Sequence, residues 1–245
     1  CCNLQEINST MNYPDLTLSQ IVTDQFKAAA VFEKYSLDFC CKGKITLKEA
    51  CQTKGIPLEA VVEELERVLA DGSSAQEEMF KQMTASQLID YIVLRHHFYV
   101  RQAIPLIYSH LQRVTTKHGE TFPWMHRVFN LFVAVADELN LHMKKEEEVL
   151  FPAINQKEQA MQQGDASTSF GIPIKTVLMV MEKEHEQSGE WMDHIRRLTN
   201  NYLPPMNACT THRICLAELK EFEEDLHRHV HLENYMLFPK ALEWA

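Results

Sequence analysis

Two segments of the sequence carry the same arrangement of histidine and glutamate. HMKKEEEVLFP begins at His142 and HVHLENYMLFP begins at His229; in both, a Glu follows the His by four residues. Residues four apart lie on nearly the same face of an α-helix, about 6 Å apart along its axis. Each segment therefore predicts a His/Glu pair that projects in one direction. Imidazole and carboxylate groups are ligands for iron, manganese and zinc, so the pairs indicate metal chemistry.

The apolar residues around each pair place it in a protein core. Helical spacing relates two sets of six residues: Phe132, Val135, Leu139, His142, Glu146 and Val149, and Leu219, Phe222, Leu226, His229, Glu233 and Met236. A glutamate within an apolar stripe is rarely buried without a cationic partner. We therefore expect a cation beside Glu146 and Glu233.

Two further segments each supply one inward histidine. His97 shares a face with Ile89, Val93, Val100 and Ile104, and His185 shares one with Leu178, Met181, Ser188, Met192 and Ile195. A single inward histidine is more often a hydrogen-bonded core residue than a ligand, but four with two buried carboxylates predict a dinuclear metal site. Each Glu would bridge the ions and two His would complete each ion. Iron suits this set best, with manganese or zinc as alternatives.

The remaining polar residues near these faces are out of phase with them. His96, His227 and His231 are predicted to face away from the site, and Asn234 is predicted to lie near the surface with His231. In the acidic run at 146–148 only Glu146 is in phase, so the rest is interpreted as a solvated face.

Long helices are needed to position these residues. Seven glycines in 245 residues favour an all-α fold, and four helices are predicted over 85–117, 121–157, 174–200 and 210–242. They most simply form an antiparallel four-helix bundle, with a kink expected at Pro105. The 45- and 44-residue separations of His97 from His142 and of His185 from His229 indicate two related helical hairpins.

A smaller unit precedes the bundle. We predict a helical domain over 13–70, a linker over 71–83 that contains the segment DGSS, and the bundle over 84–245. Thr46 and Thr84 are expected to cap helices. Between the first helices of the small unit lies the turn DFCCKGK, which contains Cys40 and Cys41.

Charge and composition exclude several classes of partner. A formal net charge of -10 argues against nucleic acid and against an anionic membrane surface. The sequence has no run of about 18 apolar residues and no signal-peptide pattern at its start, so we expect a cytoplasmic protein that does not bind membranes. The seven cysteines are odd in number and irregularly spaced, which favours reduced thiols.

Together these segments resemble one known family. The two H-x-x-x-E segments, the upstream RHH and EKEH, the loop NNYLPPMNACTTH and the N-terminal DFCCKG are similar to the repair of iron centres family, the ScdA and YtfE type with a hemerythrin-like domain. The resemblance implies two non-haem iron ions per chain with an oxo or hydroxo bridge, and a homodimer. It also implies a stress-response function: repair of iron-sulfur clusters damaged by nitric oxide or oxidants.

The resemblance also assigns roles to individual residues. It places the metal ligands at His97, His142, Glu146, His185, His229 and Glu233, the same six that the apolar stripes select. It adds Glu138 and Glu184 as carboxylates close to the ligands or to an access channel; as surface charges they would have no such role. It gives Cys40 and Cys41 a chemical role, which we expect nearby Lys42 and Lys44 to support by favouring thiolate. Two buried apolar thiols are the alternative.

Two classes of function follow from these residues. In the first, the protein supplies iron or redox equivalents to damaged or apo iron-sulfur proteins, with Cys40 and Cys41 as acceptor or relay. In the second, it is an enzyme or sensor that binds dioxygen or reduces nitric oxide at an open coordination position. Labile iron that passes to an apo cluster protein favours the first, and a dispensable cysteine domain favours the second.

Overall fold

The described part of the chain is helical. The structure, a computed structural model, describes residues 12–70, 75–165 and 167–245, and these ranges contain helices and turns but no strand. The prediction of an all-α fold is confirmed. The chain divides into two compact units, Cys1–Glu77 and Glu78–Ala245. Every helix in the described ranges is too short or too polar to span a lipid bilayer.

Residues 12–70 of the first unit contain four short helices, preceded by a 3₁₀ turn at Tyr13–Asp15. They are α1 (Leu18–Asp24), α2 (Ala28–Lys34), α3 (Leu47–Lys54) and α4 (Leu58–Leu69). Capping boxes fix the starts of α1 and α3: the Thr17 and Thr46 hydroxyls accept backbone N–H bonds while Gln20 and Glu49 reach back. The predicted cap at Thr46 is thus confirmed.

The predicted linker is partly helical. A helix, α5 (Ala75–Gln82), occupies the second part of the segment 71–83, and residues 71–74 lie outside the described residues. The sequence AQEEMFKQ contains good helix formers and neither glycine nor serine, which favours a helix there.

Four long helical segments make up the second unit. The first contains α6 (Ala85–Tyr91), π1 (Ile92–His97) and α7 (Phe98–His118); the second contains α8 (Trp124–Lys145), π2 (Glu146–Leu150) and α9 (Phe151–Gln162). The third is α10 (Ile174–Leu198), and the fourth contains α11 (Thr210–Leu232), π3 (Glu233–Leu237) and α12 (Phe238–Glu243). Helix α7 packs against α8 and α11, and α10 also packs against α8 and α11, so the four segments form a closed bundle.

Three of the four segments contain a π-helical turn, which the sequence did not predict. A π turn adds a residue to the helix and shifts every later side chain around the axis. Within π2, Leu150 is buried and Val149 is 47% exposed, so the prediction that Val149 faces the core is wrong. Helix α7 continues through Pro105, which faces solvent.

Candidate metal centre

The six predicted ligands converge from all four segments of the bundle. His97 ends π1, Glu146 and Glu233 begin π2 and π3, and the other three histidines lie within helices: His142 in α8, His185 in α10 and His229 in α11. All six side chains are buried, with exposures of 2% or less. Burial of two carboxylates at one point requires compensating positive charge.

The six residues form two ligand sets that share both glutamates. One set contains His97, His229, Glu146 and Glu233, the other His142, His185, Glu146 and Glu233, and within each set the ligand atoms lie within 4.8 Å of one another. The Nε2 atoms of His97 and His229 are 3.2 Å apart, and those of His142 and His185 are 2.9 Å apart. Each set therefore surrounds a point where one ion would contact four donors.

The two glutamates present one oxygen to each set. Glu146 Oε1 lies 3.1 Å from His142 Nε2 and Oε2 lies 3.4 Å from His97 Nε2. Glu233 Oε1 lies 2.9 Å from His229 Nε2 and Oε2 lies 3.0 Å from His185 Nε2. This is the arrangement of two carboxylates that bridge a pair of ions.

Unsatisfied buried atoms support a metal at this point. Both Glu146 oxygens and Glu233 Oε2 are buried without a hydrogen bond of acceptable geometry among the described residues, although ring nitrogens lie nearby. Buried polar atoms are normally paired, and ring nitrogens that face each other offer too few protons for all of these acceptors. Two divalent cations would satisfy both glutamates and all four imidazoles, so the donor set fits a dinuclear centre.

The electrostatics of the site favour cation binding. Burial and the charge of Glu233 raise the pKa of the Glu146 carboxyl, but His142 and His97 outweigh them and lower it. Burial lowers the pKa of His97, yet the adjacent Glu146 and Glu233 carboxylates raise it to about 10. The carboxylates thus hold protons on their histidine neighbours, and metal ions would replace those protons.

Outer partners orient three of the four ligand histidines. His97 Nδ1 donates to Glu147 Oε1 at 2.6 Å, and Arg101 donates to the same oxygen at 2.7 Å. His185 Nδ1 donates to Asn234 Oδ1 at 2.9 Å. A proton held on Nδ1 leaves the Nε2 lone pair for a metal, which is the usual arrangement of ligand histidines.

Glu184 serves His142 in the same way. His142 Nδ1 donates to Glu184 Oε2 at 2.8 Å, and the Lys145 ammonium group contacts the other oxygen. Burial raises the pKa of the Glu184 carboxyl, but these two donors outweigh it and hold the pKa at about 2. Glu184 thus lies where the sequence placed it, beside a ligand, and it contacts His142 directly.

The fourth ligand, His229, has a different neighbour. Its Nδ1 has no hydrogen-bond partner within the described residues. The His96 ring stacks on the His229 ring at a centroid distance of 5.5 Å, and His96 Nδ1 bonds Asp225 Oδ1 at 3.0 Å. The prediction that His96 faces away from the site is wrong, because His96 is 3% exposed and covers a ligand ring.

Three other phase-based predictions also fail. His231 is fully buried, with its ring 5.3 Å from that of Tyr235, whereas it was predicted near the surface. Glu147 and Asn234 contact ligand histidines, whereas they were interpreted as surface residues. Each of these two residues directly follows a shared glutamate, so the sequence repeat itself contained the signal for them. The π turns explain the error, because they rotate this position toward the centre.

Glu138 is partly exposed and lines the same groove as Glu184. Both line an open groove on the α8 and α10 side of the bundle, with a volume of about 660 Å³. The other lining residues are Thr176, Met179, Val180, Lys183, Glu186, Gln187 and Glu190. The groove is acidic, with four glutamates and one lysine, and Glu184 joins it to the ligand His142.

The paired cysteines lie in the first unit, in the turn between α2 and α3. Cys40 is buried and Cys41 is partly exposed, with 3.5 Å between their sulfur atoms. Burial raises the pKa of the Cys40 thiol well above its ordinary value, and Cys41 and Asp38 raise it further. The expectation that the nearby lysines favour a thiolate is therefore wrong for Cys40.

Comparison with known proteins covers both units. Residues 14–69 match a family described as ScdA_N, a domain of unknown function, and residues 88–241 match the Hemerythrin HHE cation binding domain. Proteins named "Iron-sulfur cluster repair protein YtfE" from Pectobacterium atrosepticum and Escherichia coli are both 33% identical to this chain over 232 residues. One of the same name from Dickeya chrysanthemi is 35% identical over 234 residues. Each alignment spans 95% of this chain and 99% of the relative.

Proposed function

The chain belongs to the YtfE family of iron-sulfur cluster repair proteins with a hemerythrin-like domain, and we propose that it repairs damaged iron-sulfur clusters with a di-iron centre in its bundle. The sharing of Glu146 and Glu233 by two four-residue ligand sets carries this proposal. Two separate mononuclear sites would each need their own carboxylates. Shared carboxylates hold two ions at a fixed separation, which suits redox chemistry and the paired release of iron.

Iron fits the donor set best. The four imidazoles and two carboxylates contain no thiolate, which disfavours copper(I), and the two-histidine, carboxylate environment is typical of non-haem iron. When bound, the iron pair supplies electrons or, as cargo, iron itself. The ligand atoms come from four packed helical segments, three of which contain a π turn at a ligand, so the fold itself brings the donors together.

The chain's own residues suit the movement of iron between the centre and the groove. Glu184 contacts ligand His142 on one side and lines the acidic groove with Glu138 on the other. A carboxylate that stays ionised attracts a hydrated cation, and Lys145 holds Glu184 against the bundle. We assign Glu138 and Glu184 to the path of iron, with His142 as the first ligand along that path.

The decisive experiment measures iron content and cluster repair together. We expect about two irons per chain by metal analysis, with Mössbauer parameters of a coupled pair, and reactivation of an iron-sulfur enzyme that nitric oxide has damaged. Glu184→Gln should slow iron release to an apo cluster protein and leave iron content near two. Glu186→Gln, on the exposed rim of the same groove, is the matched control. A wild-type protein that holds two irons but restores no cluster activity would contradict the repair function.

A second function is favoured by the number of ligands. Each set offers two imidazoles and two shared carboxylates, which leaves open coordination positions for a small molecule. We therefore keep binding of dioxygen or reduction of nitric oxide as the alternative use of the same centre. Nitric oxide consumption by the double variant Cys40→Ser/Cys41→Ser at the wild-type rate, with repair lost, would show that the two functions use different units.

A further inference from the structure

A second group of metal ligands lies in the first unit, apart from the six residues of the bundle centre. Asp38, Cys40 and Cys41 each offer one ligand atom, and these atoms lie within 4.8 Å of one another. The Cys40 sulfur lies 3.3 Å from Asp38 Oδ1 and 3.5 Å from the Cys41 sulfur. Three donors of mixed type thus meet within one short turn.

The spacing matches the ligand shell of a single ion. Around a tetrahedral zinc with bonds of about 2.3 Å to sulfur and 2.1 Å to oxygen, neighbouring sulfurs lie about 3.8 Å apart and sulfur and oxygen about 3.6 Å apart. The observed distances of 3.5 and 3.3 Å are each about 0.3 Å shorter, so the site would open only slightly around an ion. Such a shift lies within side-chain rotation and leaves the backbone in place.

The turn that carries these ligands is held firmly. The backbone N–H groups of Cys40 and Cys41 donate to Asp38 Oδ1 at 3.2 and 2.9 Å. The Gly43 carbonyl accepts hydrogen bonds from the backbone N–H and the hydroxyl of Ser19 in α1, at 3.0 and 2.9 Å. Ligands that the fold already holds in place lose little entropy on binding, so the turn is prepared for an ion.

Charge at the turn also favours a cation. The Cys40 side chain is 1% exposed and its sulfur lies 3.3 Å from the Asp38 carboxylate, so that carboxylate repels a thiolate at Cys40. A divalent ion bound to both groups supplies positive charge and removes this repulsion. Cys41 is partly exposed, so the ion would keep a side open to solvent or to an incoming ligand.

We propose that Asp38, Cys40 and Cys41 form a third metal site, which binds one thiophilic divalent cation such as Zn²⁺ or Fe²⁺. Both sulfurs bind as thiolates, so each thiol that is protonated beforehand releases its proton to solvent; no electron is transferred. Three protein ligands leave one position open, as in zinc sites that exchange their fourth ligand. Use of this position to pass iron during repair rests on the proposed function, but the binding does not.

Zinc absorption spectroscopy on the full chain tests the site directly. The reduced protein is first loaded with iron in the bundle and then given one equivalent of Zn²⁺ without oxygen. Extended fine structure at the zinc edge should show two sulfur neighbours at about 2.3 Å and lighter neighbours at about 2.0 to 2.2 Å. Zinc that entered the bundle centre would show nitrogen and oxygen only, so sulfur neighbours exclude that centre, and the loss of sulfur neighbours in Cys40→Ser/Cys41→Ser assigns them to the turn. Absence of sulfur neighbours in the wild-type protein overturns the proposal.

Substitutions then assign each ligand. Cys40→Ser/Cys41→Ser should remove the sulfur signal, and Asp38→Asn should weaken Zn²⁺ binding by at least about tenfold, the loss that follows removal even of a group beyond the ligands. Asparagine keeps an oxygen to accept the two backbone N–H bonds, so the turn should survive. Asp24→Asn, an exposed carboxylate of the same unit, is the matched control. Equal Zn²⁺ affinity in the Asp38 and Asp24 variants would exclude Asp38 as a ligand. Loss of repair with intact zinc binding would instead refute the proposed function alone.

Discussion

Glu147 provides the sharpest test of the proposed centre, because helical periodicity and the structure give it different positions. Helical periodicity places Glu147 on a solvated acidic face, whereas in the structure it accepts a 2.6 Å hydrogen bond from the proposed ligand His97. Glu147→Gln keeps an oxygen that can accept this bond but removes the negative charge. The substitution therefore tests whether that charge strengthens His97 as a ligand.

The structure limits the size of the expected effect. Loss of a group that holds a ligand histidine costs about 10- to 100-fold in metal affinity. The Glu147 side chain is 28% exposed and shares its oxygen with Arg101, so solvent and a second cation already weaken its field at His97. We therefore expect the lower end, about tenfold, which corresponds to about 1.4 kcal/mol.

The loss should affect one iron of the pair. The proposed ligand that Glu147 bonds is His97, which belongs to the set with His229, so chelator competition should become biphasic, with one iron released earlier. Mössbauer spectra should show one altered site and one unaltered site. Glu148→Gln is the control, because Glu148 is the next residue in the acidic run and its side chain is 64% exposed. Equal iron affinities and spectra for the two variants would refute the role given to Glu147.

Three further predictions concern the centre and the two units. Glu233→Leu should lower iron content at both positions, because Glu233 has one oxygen in each ligand set; metal analysis that finds two irons would exclude the bridging role. Glu158→Gln should lower the free energy of unfolding by about 1 to 3 kcal/mol at pH 7, measured by urea unfolding. Its buried carboxylate accepts bonds from the Ala85 and Ser86 backbone at the start of α6. Burial raises the pKa of Glu158 but these bonds lower it, so the stabilisation exists above the unfolded pKa of about 4.3 and is lost as pH falls through the folded pKa. The two proteins should therefore converge in acid. Gly43→Ala should destabilise the first unit in hydrogen exchange, because a Cβ would lie 2.1 Å from the Phe39 carbonyl oxygen; Gly55→Ala, which meets no atom, should show only the smaller cost of its positive φ.

Helical periodicity predicted the inward faces of the bundle. The bundle helices begin and end close to their predicted bounds, and all six proposed ligands are buried and adjacent. Their burial could be predicted because a carboxylate in an apolar stripe is rare and because the sequence repeats the pattern in two hairpins; their role as ligands stays a prediction. The same periodicity failed for residues directly after or beside the ligands, such as His96, Glu147 and His231.

The failures at His96 and Glu147 share a physical cause, because both residues lie within π turns. Periodicity of 3.6 residues assumes an unbroken α-helix, whereas His97, Glu146 and Glu233 each lie at the end or start of a π turn. The added residue widens the inward face so that two consecutive residues point toward the centre. Glu146 and Glu147 both serve the site for this reason, one as a shared carboxylate and one behind a ligand. No propensity scale marks a π turn, so the register shift became visible only in the structure.

The two hairpins place residues at equivalent positions around the centre, but the residue types at these positions differ. The residue after each shared glutamate holds a histidine of the preceding long segment, yet it is the carboxylate Glu147 in one hairpin and the amide Asn234 in the other. The residue before His97 is His96, and the residue before His185 is Glu184. Each contacts the second histidine of the same ligand set: His96 stacks on His229, whereas Glu184 accepts a hydrogen bond from His142. The set with His142 and His185 thus has its carboxylate partner, Glu184, at the groove, whereas the set with His97 and His229 has its carboxylate partner, Glu147, paired with Arg101 and is covered at His229 by the His96 ring. If iron leaves through the groove, the position at His142 should empty first and the position beneath His96 should retain its metal, because Glu184 joins His142 to the groove and Glu147 is not among the residues that line it.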